Sequence, residues 1–113
     1  RSIRYADVLL MAAEAEVKSV GVNAIDYLNQ VRARAYGDNS HDYTASEGDL
    51  LEAIYTERRK ELAGEGHRFF DLVRTNKAAA AIEGFSVDKN EVFPIPLIEI
   101  ELAGNRWIQN QGY

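Results

Sequence analysis

The chain has 113 residues, 46% of them hydrophobic and 27% charged, with a net charge of −5 and no cysteine. That is enough apolar material for one core and too little net charge for a disordered chain. The acidic balance argues against a nucleic-acid or anionic-lipid footprint, the missing cysteines exclude disulfides, zinc-thiolate sites and thiol catalysis, and no apolar run approaches the ~18 residues of a membrane helix.

The first segment carries two apolar stripes at helical spacing: Tyr5, Val8, Leu9, Ala12 and Ala15, and then Ile3, Ala6, Leu10, Ala13, Val17 and Val20. One narrow polar stripe is left, with Arg4, Asp7, Glu14 and Lys18 around Met11; Arg4–Asp7 and Glu14–Lys18 stand at pairing distance. A helix so broadly apolar is packed from more than one side. Gly21 is placed to end it, and Asn23 to cap a second helix with Asp26 three residues on.

That second helix places Ala24, Leu28, Val31 and Ala35 on its buried stripe, and Asp26, Asn29 and Arg34 outside. A turn of about three residues predicts an antiparallel hairpin. Small residues on both helices permit close approach, so the pair resembles one tetratricopeptide-type unit.

Residues 37–46 are polar and turn-forming, hence a surface loop. Thr44 with Glu47, and Ser46 with Asp49, each match a capping pattern that starts a third helix nearby. This helix shows Leu51, Ile54, Tyr55, Arg58 and Leu62 on one face and ends at Gly64 and Gly66. A short helix follows with Phe69, Leu72 and Val73 inward, then an alanine run closed by Gly84. From Phe85 the pattern turns irregular; Pro94 and Pro96 impose an extended course that tolerates at most an edge strand. One or two helical turns over 97–103 lead to a tail whose Trp107, Ile108 and Tyr113 are too apolar to hang free and are expected to pack back across the helices. The fold class is all-α: a helix hairpin, further helices and an extended, proline-containing C-terminal tail.

The stretch richest in chemistry is 57–71. Residues 57–77 interleave six basic side chains with four acidic ones, which suits internal ion pairing better than a phosphate-binding stripe. Glu57, Glu61, Glu65, Asp71 and His67 offer acid–base groups, but nothing matches a histidine–glutamate metal motif, and His41 stands in a loop with no evident partner. We therefore assign no catalytic residue, no metal and no cofactor. Arg58 falls on an apolar stripe, where an unpaired guanidinium would cost several kcal/mol. Arg58, Glu61, Glu65, Arg68 and Asp71 are read as a structural ion-pair cluster, with Glu65 and Asp71 folding back after the glycine turn to meet Arg58, Arg68 or Arg74. Tyr36, Tyr43, Trp107 and Tyr113 are the aromatic candidates for a ligand platform.

Five ordered blocks carry a resemblance: IRYADVLLMAAEAE, AIDYLNQVRARA, LLEAIYTERRKELAGEGHRFFDLVRT, FPIP with LIEIE, and QNQGY. They resemble the C-terminal region of the SusD/RagB family, with Thr75, Gln111 and the stretch 103–105 departing from the family pattern at turns and ends. The resemblance implies a lipid-anchored outer-membrane protein exposed at the cell surface. It would bind oligosaccharide or another nutrient and pass it to a SusC-like, TonB-dependent outer-membrane transporter. Residues 1–113 would be a C-terminal helical domain of a longer chain, with the lipid anchor outside it. Arg58, Glu61, Glu65, Arg68 and Asp71 match the family block as scaffold, and the resemblance carries no ligand-binding residue over to this region, the family's sugar contacts coming mainly from regions before it. The alternative reading is a helical-repeat module that binds a protein partner.

Overall fold

The computed structural model describes residues 3–113. It is all-α: α1 (Tyr5–Ser19), α2 (Ala24–Tyr36), a 3-10 turn (Ala45–Glu47), α3 (Leu50–Glu61), α4 (Arg68–Arg74), α5 (Ala78–Ala81) and α6 (Leu97–Leu102). No strand occurs among the described residues, and no helix among them is long and apolar enough to cross a membrane. The chain divides into two compact units, Arg1–Arg68 and Phe69–Tyr113.

In the first unit α1 and α2 form the predicted hairpin and α3 packs on α1. Leu10, Leu28, Val31 and Ile54 are fully buried, joined by Ala6, Leu9, Ala13 and Ala53. Each of the large side chains contributes about 1.5–3 kcal/mol by leaving water. The polar stripe of α1, however, is not its solvent face. Asp7 and Glu14 are buried, whereas Ile3, Tyr5 and Val8 are exposed. The cause is α3, which lays polar side chains on that stripe: Arg58 Nη1 donates to Asp7 Oδ1 at 2.9 Å and Tyr55 Oη to Glu14 Oε1 at 3.2 Å. Glu14 also takes Lys18 at 2.6 Å as expected, but Arg4 turns away from Asp7 to Glu61 and Glu65. On α2 the buried face likewise swings toward charge: Arg32 is buried and Ala35 exposed.

The turn between α1 and α2 differs from the sequence expectation by one residue. Val20, not Gly21, takes the left-handed position, at φ 61°. Gly21 serves another purpose: a Cβ there would collide with the Glu16 carboxylate, which accepts from the Asn23 backbone N–H at 3.1 Å. Glu16 thus takes the N-cap N–H that a capping box would have given Asp26, while the Asn23 side chain makes no cap bond. A β-branched residue is strained at positive φ, and Val20 is almost fully exposed, so it has little packing to lose. We expect Val20→Gly to stabilise the chain by about 1 kcal/mol, read as a higher urea midpoint at unchanged slope. Further along, Glu47 accepts from the Thr44 N–H at 3.1 Å in the short 3-10 turn. Asp49 itself caps α3 through the Glu52 N–H at 3.0 Å.

In the second unit α4 buries Leu72 and closes through the Lys77 N–H to the Leu72 carbonyl at 2.8 Å. The proline segment pairs with a side chain in place of a strand. Ile95 N–H donates to Gln109 Oε1 and Gln109 Nε2 donates to the Ile95 carbonyl, both at 2.8 Å. Asn110 reaches the Phe93 carbonyl at 2.6 Å, and Tyr113 Oη reaches that of Val92 at 3.1 Å beneath the Lys89 ammonium. The tail therefore returns, but polar side chains anchor it on residues 92–95. Ile108 stays 90% exposed, so burial of the tail's apolar residues is not what holds it.

Candidate functional site

Three sets of charges tie the first unit together. Arg58 and Asp7 form a pair with side chains 5% and 10% exposed. Arg32 Nε donates to the buried Glu57 at 3.1 Å, while its Nη1 donates to Glu47 at 3.0 Å and to the His41 carbonyl at 3.2 Å. Arg4 donates to Glu61 Oε1 at 2.9 Å, to the Glu61 carbonyl at 2.8 Å and, through Nε, to Glu65 at 3.0 Å. Arg34 completes this set, meeting Glu61 at 2.7 Å.

Of the five residues singled out in the sequence, Arg58 is placed against Asp7, Glu61 against Arg4 and Arg34, and Glu65 against Arg4. Asp71 accepts from Arg74 within α4 at 2.7 Å, and Arg68 stands exposed at the start of that helix. Asp7, Arg32 and Glu57 lie outside those five. Their signal is faint but physical: Arg32 stands four residues after Leu28 and Glu57 three after Ile54, so each charge sits beside an apolar stripe of its own helix.

The electrostatics follow the pairing. Hydrogen bonds donated to Glu65 and then to Glu61 hold the Arg4 guanidinium above its ordinary pKa. Burial pulls the Arg32 guanidinium down, but the bonds to Glu47 and Glu57 outweigh it and the net shift is upward. The same arginine holds the Glu47 carboxyl below its ordinary value. A depressed carboxyl adds stability above its unfolded pKa and loses it as pH falls through the folded one; the raised arginines remain charged throughout. We expect thermal stability to decline as pH drops below the ordinary glutamate value of 4.5. In Glu47→Gln this acid limb should be shallower in melts recorded across pH, and only modestly so because Glu47 is partly exposed.

Among the described residues no three His, Cys, Asp or Glu side chains group as metal ligands would. His41 is engaged in a stack on Tyr36, with ring centroids 3.8 Å apart and planes 28° apart. Two cavities open on the first unit. A groove of about 660 Å³ between α1 and α2 is floored by Ala6, Leu9, Val31 and Ala33, with Arg4 and Arg34 at its rim. A polar cleft of about 300 Å³ lies beside the 37–44 loop, lined by Arg32, Tyr36, Ser40, His41, Asp42, Thr44, Glu47, Glu57 and Lys60.

The SusD family model matches residues 1–92. SusD-like protein P25 of Formosa agariphila is 48% identical over 63% of this chain and 14% of its own length. SusD-like protein P2 of the same organism is 34% identical over 98% of this chain and 25% of its own length. Among solved structures, surface glycan-binding protein A from Bacteroides thetaiotaomicron superposes with a TM-score of 0.82 at 36% identity, over 98% of this chain and 24% of that one. The chain thus spans a quarter or less of the length of these relatives.

Proposed function

The chain belongs to the SusD family, and from that premise we propose that it is the C-terminal helical scaffold of a longer cell-surface protein that captures a glycan and delivers it to a TonB-dependent outer-membrane transporter. The observation that carries this reading is the superposition on a surface glycan-binding protein across 98% of the chain. Binding without catalysis agrees with the charged block. Arg58 and Glu61 are engaged with partners in neighbouring helices at 2.7–2.9 Å, leaving neither as a poised acid or base. We assign Arg58, Glu61, Glu65, Arg68 and Asp71 to packing and pairing. In this reading the lipid anchor is carried by the longer protein.

The test is made on that longer protein. Calorimetry against soluble polysaccharides should show binding to at least one, and a pull-down from outer membranes should bring a barrel transporter with it. Absence of glycan affinity and of a transporter together would reject the reading. A helical adaptor, by contrast, would retain peptide ligands and ignore glycans.

A further inference from the structure

Resting on the glycan-binding reading, we propose that the polar cleft beside the 37–44 loop is a subsite for a single neutral pyranose unit, with the Tyr36–His41 stack as its platform. Four observations converge. The loop is exposed yet firmly held: Arg32 donates to the His41 carbonyl, Asn29 Oδ1 accepts from the Tyr43 N–H at 2.8 Å, and Tyr43 Oη donates to the Gly48 carbonyl at 2.6 Å. A preorganised loop loses little entropy on binding. Satisfying the buried Arg32 accounts for the first of these bonds, but not for two aromatic rings stacked in the open, with Tyr36 48% exposed. Rings kept in solvent contribute little to a core, whereas their apolar faces and polar edges match the C–H face and hydroxyls of a sugar.

The charge decides the ligand class. Arg32 faces two carboxylates, Glu47 and Glu57, so the cleft has no surplus positive charge for a phosphate or sulfate. Hydroxyls instead find Ser40, the Lys60 ammonium and the rim of Glu47. Asp42 adds an acceptor through Oδ2, which takes one bond, from Asn39 at 3.2 Å. At about 300 Å³ the cleft admits one ring, not a chain. The larger α1–α2 groove is less suitable, because its apolar floor would strip water from hydroxyls without replacing their bonds.

The test is an amide-shift titration of the 113-residue chain with oligosaccharides of β-glucan, α-mannan, xylan and galactan. Shifts confined to residues 36–44 and the surroundings of Lys60, with at least one of them, are expected. Tyr36→Ala should weaken that binding by about tenfold at an unchanged melting temperature, while Tyr36→Phe, which keeps the ring, stays near the parent value. Shifts that map elsewhere, or an unaltered affinity in Tyr36→Ala, overturn the subsite and leave the glycan-binding reading standing. The subsite also falls, alone, if the chain ignores all four sugars while the longer protein binds one in calorimetry. If neither binds any, both fall together.

Discussion

Replacing Arg58 by Met is expected to lower the stability of the chain by about 3–5 kcal/mol, a large share of what holds a small domain folded. The loss does not come from the missing guanidinium alone. Its partner Asp7 is 7% exposed and faces α3 from the middle of the core-facing stripe of α1, so the variant strands a carboxylate where water does not reach. An unpaired buried charge costs far more than the intact pair contributes, and the chain can escape that cost only by protonating Asp7 or by opening the α1–α3 contact. Circular dichroism through a urea titration reads the effect. Asp7→Asn should be milder, because an amide in the same place carries no charge to desolvate.

Arg32→Met is the second large effect, again about 3–5 kcal/mol, for the same reason with different partners. Glu57, its side chain 4% exposed, loses the Nε–H that satisfies it. Here the damage has a second, local signature. Arg32 also ties down Glu47 and the His41 carbonyl, so the loop from 37 to 48 loses one of its anchors to α2 and keeps that of Asn29 on Tyr43. Amide hydrogen exchange should rise at residues 41–47 more than at the α1–α2 contact. If the substitution were harmless to both, the Arg32 set would be a surface ornament and not a fastening.

Most of the helical frame was legible because it is local. Ala6, Leu10 and Ala13 in α1, and Ala24, Leu28 and Val31 in α2, recur at spacings of four, three and seven, and all are buried. The turn of four residues, 20–23, demands a hairpin whatever the side chains do. The family, too, was readable in the ordered blocks, above all the arginine–glutamate run from 57 to 74. The ion pairs were harder, since each is a relation between helices. Arg58 finds Asp7 across 51 positions and Arg32 finds Glu57 across 25, so spacing within one helix points to the wrong partner, such as Arg4 for Asp7. The polar stripe of α1 gave no partner for Asp7 in α3 for that reason: polarity says that a group needs a partner, not which one.

The ends of the elements were hidden for a different reason. Val20 adopts a left-handed conformation beside a glycine that would adopt it with less strain, and the Glu16 carboxylate folds over the bare Gly21. Gln109 gives no sequence signal of its two bonds to Ile95, since a side-chain amide can stand in for a strand only where the chain already brings it. The polar cleft was half visible: Tyr36 stood out as an aromatic at the loop border, but its stack on His41 and the anchoring by Arg32 needed the fold.

The proposal that the charged side chains of 57–71 fasten helices to one another stands or falls with the Arg58–Asp7 pair. A double-mutant cycle on Asp7 and Arg58 tests it most directly, with Asp7→Leu, Arg58→Met and the two combined, each followed by urea denaturation. We expect a coupling energy of at least about 1.5 kcal/mol, the double variant being more stable than the sum of the single losses allows. A coupling indistinguishable from zero, with losses that simply add, would contradict it.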